Sequence, residues 1–227
     1  MDVFPPRSNK IGNSMNSVIS RPGVGRPTRE QQEQRHEELL NVSLDIFLER
    51  GFEQTTMEEI AVRVGMSKRT VYARYADKAS LFKAAVRRAI ERYTVPRKEI
   101  EAVATDDLAE TLAAIARLRI ANVATPVATR LQRILGAQSY RFPELFTAAF
   151  EEGAGPTIGF LIELLTRYTA LGIIDVSEPQ RAASAFLSLV VGGPARIIVS
   201  GNKFDEADIE KHIHFAVGLF LKGVYRR

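Results

Sequence analysis

The stretch that determines the fold is VGMSKRTVYARYADKASLF, which runs from Val64 to Phe82. Gly65 suits the left-handed conformation in which helices often end, and Ser67 is a favourable N-cap for the helix that follows. A helix ending at Val64, a three-residue turn and a second helix of about eight residues match the helix-turn-helix motif. The stretch also carries four lysine and arginine side chains. Three explanations compete for them: a solvated surface helix, a phosphate-binding enzyme site, or a surface that reads nucleic acid.

The composition is that of an ordinary globular protein. The chain has 227 residues, of which 45% are hydrophobic and 26% charged, and it contains no cysteine, which excludes disulfides and thiolate metal sites. The longest apolar stretch, residues 182–199, contains Gly192-Gly193-Pro194 and Arg196, a pattern that favours a buried helix over a membrane span. We therefore expect a cytoplasmic protein without a cofactor, a metal or a membrane partner.

Positive charge is concentrated in one part of the chain. Residues 62–98 contain eleven lysines and arginines but only two acidic residues, whereas residues 99–227 contain thirteen cationic and fifteen acidic residues. A basic block joined to a mildly acidic remainder predicts a polyanionic partner for the basic region alone.

Helical periodicity runs through almost the whole chain, and no convincing strand alternation is found. A Pro-, Ser- and Asn-rich stretch predicts a flexible basic arm over residues 1–28, and three helices follow in a helix-turn-helix domain over 29–77. Residues 78–227 are expected to form a larger helical domain that begins with a long helix capped by Asp77. Its further helices are predicted at 105–123, 126–138, 143–171 with an interruption near 153–156, 178–199 and 205–225. The predicted class is all-α.

The second helix of the motif has two distinct faces. Val71 and Tyr75 lie four residues apart and can pack against the first helix, whereas Arg69, Tyr72 and Ala73 lie on another face. A small side chain such as alanine would let this face sit closely in the major groove of DNA. Arg69 lies near the N-terminal end, where such helices meet base edges, and arginine can bond both O6 and N7 of guanine. Together with the turn spacing, these features favour DNA over the other two explanations.

Phosphate contacts are predicted around the same helix. Thr56 and Lys78 lie at helix N-termini, where free N–H groups and the helix dipole attract anions, and Tyr72 is a third anchor. In the arm, Gly25-Arg26-Pro27 is a compact cationic segment able to lie in a minor groove. Thr56 can also serve only as a cap, and the arm can equally be a plain disordered tail.

Residues 31–90 resemble the N-terminal domain of the TetR/AcrR family of transcriptional regulators. The matching residues are Ser43-Leu-Asp-Ile-Phe47, Gly51-Phe52, Thr55-Thr56, Ile60-Ala61, Val64-Gly65, Ser67, Thr70, Val71-Tyr72, Tyr75, Lys78 and Leu81-Phe82. The resemblance implies that Tyr72 and Lys78 contact DNA phosphates and that Lys68, Arg69, Thr70, Ala73 and Arg74 lie in or beside the groove. The predicted DNA-contacting set is therefore Arg26, Thr56, Ser67, Lys68, Arg69, Thr70, Tyr72, Ala73, Arg74 and Lys78.

Two residues depart from the pattern of that family. Ala73 stands where many members have a larger side chain, so base contacts are expected to depend more on Arg69. Tyr75 replaces the more usual phenylalanine, which suggests that its ring packs in the core and that its hydroxyl reaches the edge of that core.

The resemblance further implies that the C-terminal helices bind a ligand and form a homodimer. The last two helices carry apolar residues on more than one face, which the same helices of a second chain could cover. A dimer also reads two half-sites of a palindromic operator and so binds more tightly than a single chain. The predicted interface residues are Phe186, Val190, Ile197, Phe215, Leu219 and Phe220.

A small hydrophobic or aromatic effector is expected in the same domain, and repression is the commoner outcome in the family. The predicted ligand-binding residues are Arg117, Asn122, Gln138, Tyr140, Phe146, Phe160 and Tyr168, with Arg119, Phe142 and Phe150 as further candidates. Aromatic residues at helical spacing can equally form an ordinary core.

Two other functions compete with ligand-responsive regulation. An enzyme is disfavoured, because His212 and His214 lie two residues apart and cannot share a metal from one helix face, and because no nucleophile arrangement is found. A non-specific architectural DNA-binding protein would explain the basic block, but it would not need a large apolar C-terminal domain.

Overall fold

The protein is described by a computed structural model that covers residues 28–202 and 205–225. The predicted basic arm, including Arg26, lies outside the described residues apart from Thr28. Ten α-helices are assigned in the described ranges: α1 (Arg29–Gln54), α2 (Met57–Val64), α3 (Lys68–Arg74), α4 (Lys78–Tyr93), α5 (Arg97–Ala102), α6 (Leu108–Ala124), α7 (Pro126–Gln138), α8 (Pro143–Ala170), α9 (Pro179–Val199) and α10 (Glu206–Val224). A single antiparallel bridge pairs Ile174 with Tyr225, and no strand is assigned in these ranges. The all-α prediction is confirmed.

The helix-turn-helix is formed by local caps that the sequence encodes. The Thr56 hydroxyl accepts a hydrogen bond from the Glu59 N–H at the start of α2, and the Ser67 hydroxyl accepts one from the Thr70 N–H at the start of α3. Gly65 ends α2 in the left-handed conformation, with φ of 69° and ψ of 32°. Asp77 caps α4 and accepts a hydrogen bond from the Ser80 N–H over 2.7 Å. These caps satisfy backbone groups that helix ends would otherwise leave without partners.

One hydrophobic cluster joins the N-terminal helices to the C-terminal body. Leu39 and Phe47 of α1, Ile60 of α2 and Val71 of α3 pack together with the buried face of α4. The same cluster includes Leu131 and Leu135 of α7, Phe142 at the N-cap of α8 and Leu145 of α8. Because α4 packs in both directions, residues 29–77 share their core with the rest of the chain.

A second cluster fills the C-terminal body. It is built from the apolar faces of α6, α8, α9 and α10, and Phe186 lies at its centre with its ring 5.0 Å from that of Phe220. The α4–α8 and α8–α9 pairs are in direct contact, so α8 borders both clusters.

Two helices run through internal prolines, and the sequence predicted an interruption at one of them. The predicted interruption near 153–156 is wrong, because α8 continues through Pro156. A proline removes one backbone hydrogen bond from a helix, and the neighbouring residues Ala154 and Thr157 are both buried in the fold. In the same way α9 continues through Pro194, which is itself buried.

Helix α9 has an unusual combination of length, composition and exposure. It is the one helix in the described ranges that is long and apolar enough to cross a membrane by those two criteria alone. Length and composition do not by themselves indicate a membrane span, since the core helix of a soluble protein meets the same criteria. Only 28% of its most apolar stretch is buried within the chain.

Candidate nucleic-acid interface and ligand cavity

Helix α3 presents the two faces that its sequence predicts. Val71 is fully buried against the first cluster, and the half-buried Tyr75 ends the helix. Lys68, Arg69, Thr70, Ala73 and Arg74 are exposed, and the Tyr72 side chain is 45% exposed. Arg69 has no ion pair with any described residue. The outward face of α3 is therefore free to meet a large anionic partner.

The N-terminal end of α3 is stabilised by hydroxyl groups and by one surface ion pair. The Ser67 and Thr70 hydroxyls are hydrogen-bonded to each other over 2.8 Å. The Lys68 ammonium lies 3.3 Å from the Glu58 carboxylate of α2. The pKa of Glu58 is below its ordinary value, first because of a hydrogen bond with its own backbone N–H and second because of Lys68. An exposed pair of this kind is weak, so a phosphate could displace Glu58 from Lys68 at small cost.

Lys78 has a different environment from the one predicted. Its ammonium donates hydrogen bonds to the backbone carbonyls of Phe52, over 2.7 Å, and Glu53, over 3.1 Å, and it lies 4.5 Å from the centre of the Phe52 ring. These carbonyls belong to the last residues of α1, which follow an interruption of the helix at Gly51, where φ is 78°. Two of the three ammonium donors are thus used within the chain, because α1 and α4 cross here. Thr56, by contrast, is exposed at the N-terminus of α2 as expected.

Tyr75 is fixed by a contact that its replacement of phenylalanine makes possible. Its hydroxyl lies 2.7 Å from Nε2 of His36 on α1, and the two rings stack with their centres 6.0 Å apart. Burial raises the pKa of the Tyr75 hydroxyl, with a smaller opposing effect from Arg74. This bond ties the end of α3 to α1 and helps to fix the orientation of the exposed face.

A partly open cavity of about 390 Å³ lies in the C-terminal body, lined by α4, α6, α7, α8 and α9. Its size falls in the range typical of small-molecule sites. The residues that line it are Ile90, Tyr93, Thr94, Arg119, Asn122, Val123, Ala128, Leu131, Gln132, Leu135, Phe146, Ala149, Phe150, Gly153, Ala154, Ile158, Ser184, Leu187, Ser188, Val191, Gly192 and Ala195. Asn122 and Phe146 of the predicted ligand-binding set are among them, as are the further candidates Arg119 and Phe150.

Five residues of the predicted ligand-binding set do not line this cavity. Arg117 turns outward on α6 and forms two hydrogen bonds of 2.7 Å with Glu210 of α10. Tyr140 is fully exposed beyond the end of α7, and Gln138 is the last residue of that helix. Phe160 lies on another side of α8, under the Arg97 guanidinium, and Tyr168 is buried with its hydroxyl donating to the Asp106 carbonyl. Phe142, a further candidate, packs with Phe52 and Phe82 instead.

Sequence reasoning missed the part of the wall that comes from α4, α7 and α9. Ile90, Tyr93 and Thr94 lie at the C-terminal end of α4, and Ser184 and Ser188 are one turn apart on α9. Nothing in the sequence marks these residues as neighbours, although the two serines interrupt an apolar helix. The Asn122 amide donates to the Tyr93 carbonyl over 3.1 Å and so connects α6 to the end of α4.

Arg119 is the charged residue of the cavity wall. The residue is only 8% exposed, and its Nε and Nη1 atoms are buried without an acceptor among the described residues. Burial lowers the pKa of the Arg119 guanidinium from its ordinary value.

The predicted dimer residues divide into three groups: exposed, fully buried and half-buried. Phe215 and Leu219, one turn apart on α10, are 69% and 51% exposed and form an apolar strip on the surface of the single chain. Phe186 and Val190 are fully buried in the second cluster, so they cannot contact a second chain directly. Phe220 is half-buried against Phe186, and Ile197 is half-buried near the end of α9.

Two family models match the chain. Residues 39–85 match the family described as bacterial regulatory proteins, tetR family. Residues 110–227, more than half of the chain, match the family described as AefR-like transcriptional repressor, C-terminal domain.

Individual proteins with related sequences or structures agree with these family matches. The HTH-type transcriptional activator FasR of Mycolicibacterium smegmatis is 29% identical over 97 residues, which span 42% of this chain and 44% of that protein. A TetR-family transcriptional regulator from Mesorhizobium loti is 26% identical with a TM-score of 0.73, covering 88% of this chain and 100% of that structure. The Flavonoid-responsive Regulator FrrA is 30% identical with a TM-score of 0.68, covering 86% and 99%.

Proposed function

Because the chain belongs to the TetR family of transcriptional regulators, we propose that it binds a palindromic DNA operator as a homodimer and is released by a small ligand. The observation that supports DNA reading most directly is the exposed face of α3. Arg69 lies there without an ion pair to any described residue, beside the small side chain of Ala73. An arginine in this position can bond a guanine edge once α3 enters the major groove, while Tyr72 and Lys68 meet the flanking phosphates.

The proposed homodimer pairs α9 and α10 with the same helices of a second chain. The exposed strip of Phe215 and Leu219 on α10 and the half-buried apolar residues of α9 leave apolar area that a four-helix interface would cover. An isologous interface of this kind relates the two α3 helices by a two-fold axis. An operator with inverted half-sites matches that symmetry.

Helix α4 connects the proposed DNA surface to the cavity. Its N-terminal end follows α3 directly, and its C-terminal residues Ile90, Tyr93 and Thr94 line the cavity. A helix of 16 residues spans about 24 Å. A ligand that fits better when α4 is displaced would favour dimers whose α3 helices have the wrong spacing for DNA.

The proposed effector is a small molecule with a hydrophobic or aromatic body. Support comes from the apolar wall of the cavity and from FrrA, whose name states that it responds to flavonoids.

Repression is the proposed direction of control, in line with the AefR-like repressor description of the family that matches residues 110–227. The site of action is proposed to be the cytoplasm.

The test is binding of the purified protein to sheared genomic DNA of the organism that encodes it, followed by sequencing of the retained fragments. The wild-type protein is expected to enrich discrete fragments. Arg69→Ala should weaken binding to those fragments by about 1–3 kcal/mol and relax base preference at one position. Arg130→Ala removes an equally exposed arginine of α7 and serves as the control. Even coverage of the genome by the wild-type protein would instead indicate a non-specific architectural protein.

A further inference from the structure

Arg119 is an anomaly in the energetics of the C-terminal body. A buried charge is costly unless a counter-charge and hydrogen-bond acceptors surround it. Two of its nitrogen atoms, Nε and Nη1, are buried and have no acceptor among the described residues. Native structures rarely leave such donors unpaired without a reason, such as a bound molecule or ion.

Arg117, on the same helix as Arg119, has a guanidinium that is paired with a carboxylate. It is two residues away and points outward, where both oxygens of the Glu210 carboxylate accept its hydrogen bonds. Arg119 points inward and lines the cavity instead. The sequence therefore places one paired and one unpaired guanidinium on opposite sides of α6.

The rest of the cavity wall offers Arg119 no counter-charge. Among the described residues, no aspartate or glutamate lines the cavity, and its other polar side chains, such as Asn122, Gln132, Ser184 and Ser188, are uncharged. Burial is accordingly the one cause that shifts the pKa of Arg119. Most of the remaining wall is apolar, with Leu131, Phe146 and Leu187 among its side chains.

We propose that the ligand of this cavity is an amphipathic anion, in which a carboxylate or similar oxyanion binds Arg119 and an apolar body fills the remaining space. The inference rests on the proposed effector role of the cavity and narrows its chemistry. A guanidinium as buried as that of Arg119 forms strong, charge-assisted hydrogen bonds with an oxyanion. The anion would supply the counter-charge that the Arg119 guanidinium lacks, and the apolar wall would select acids with a substantial hydrocarbon or aromatic portion.

The test compares acids with their neutral counterparts by isothermal titration calorimetry on the full-length protein. The probes are decanoate with decanamide, for a linear body, and 2-naphthoate with 2-naphthamide, for an aromatic one. At least one acid is expected to bind the wild-type protein about tenfold or more tightly than its amide. Arg119→Gln should abolish this preference, whereas the matched variant Arg117→Gln should retain it.

A stability measurement separates ligand binding from a structural role of Arg119. An unpaired buried charge does not stabilise the ligand-free fold, so Arg119→Met should leave its melting temperature unchanged or raise it. A clear fall in the melting temperature of Arg119→Met would show that the guanidinium is structural and would overturn the inference. Equal binding of acid and amide in both pairs, absence of binding by either acid, or an acid preference that survives Arg119→Gln would overturn it as well.

Failure of this inference can be told apart from failure of the proposed function. Each probe is also tested for release of the enriched genomic fragments from the wild-type protein. Neutral compounds that bind and release DNA would leave ligand control intact and refute the anion preference. An acid that binds through Arg119 without changing DNA binding would establish the anion site and contradict ligand control.

Discussion

Lys78 and Arg69 are both cationic residues of the basic segment, yet they have opposite environments. Arg69 is exposed on α3 and forms no ion pair with a described residue. Lys78 donates to the Phe52 and Glu53 carbonyls and lies against the Phe52 ring. Its first role is therefore to hold α1 against α4, and any phosphate contact must use its remaining donor or follow a rearrangement of its side chain.

Lys78→Met should lower the free energy of unfolding by about 2 kcal/mol, because it removes hydrogen bonds from a charged donor and leaves two carbonyls with fewer partners. Urea denaturation measures the loss. The control is Lys83→Met on the same helix, which removes an exposed ion pair with Glu144 and should cost less than about 1 kcal/mol. An equally small loss for both variants would mean that Lys78 does not connect the two helices.

At the scale of single residues, the sequence predicted the helix caps correctly but did not predict the hydrogen-bond partners of Lys78 and Tyr75. Ser67 and Gly65 occupy the cap positions expected from their chemistry, because capping depends on neighbours within a few residues. The partners of Lys78 lie 25 and 26 positions earlier in the chain, and the partner of Tyr75 lies 39 positions earlier. Such contacts depend on how the helices cross, which side-chain spacing does not encode.

At the scale of elements, the turn between α2 and α3 sets the direction of the exposed face of α3. Gly65 has φ of 69° in this turn, and a Cβ placed on it would meet no atom within 4 Å. Glycine is therefore favoured at this position by the backbone conformation and not by a lack of space for a side chain. Other residues adopt this left-handed conformation only at a cost in free energy.

Gly65→Ala should destabilise the protein by about 1–2 kcal/mol, because alanine is strained in the left-handed conformation. Gly136→Ala is the matched control, since a Cβ there also meets no atom within 4 Å but the residue is helical. It should stabilise the protein by up to about 1 kcal/mol. Thermal or urea unfolding of both variants measures the contrast, and two effects of the same sign would contradict the role of the turn.

The predicted helices agree with the structure where periodicity and caps agree, and the prediction failed at Pro156 and at the short helix α5. Pro156 suggested a break because it removes a backbone hydrogen bond, but α8 continues through it with Ala154 and Thr157 buried on either side. The six-residue α5 has too few residues for a periodic pattern and was not predicted. The cavity was located only in part, because its wall combines five helices spread over residues 90–195.

At the scale of the whole molecule, the C-terminal body leaves apolar surface that a single chain does not cover. Phe215 and Leu219 are the clearest part of it, and α9, which contacts α10, adds apolar residues that are only half-buried in the single chain. The homodimer proposed above would bury this surface. It would also hold two α3 helices at a fixed separation.

Phe215→Asp should convert the protein to monomers, since it places a charge in the proposed interface without disturbing the core of the single chain. Sedimentation velocity measures the state of association. Tyr140→Asp makes the equivalent aromatic-to-acid change at a fully exposed position outside α9 and α10, and it should remain dimeric. Persistent dimers of Phe215→Asp would place the interface elsewhere.

The central claim is that two α3 helices in one dimer read a specific DNA sequence, and selection from a random duplex pool tests it most directly. The account predicts enrichment of an inverted repeat whose half-sites lie about one helical turn apart, or a small multiple of that spacing. Its affinity should fall with added salt but remain well above that of random duplexes. Binding without any enriched sequence, or enrichment of a single unrepeated half-site, would contradict the claim.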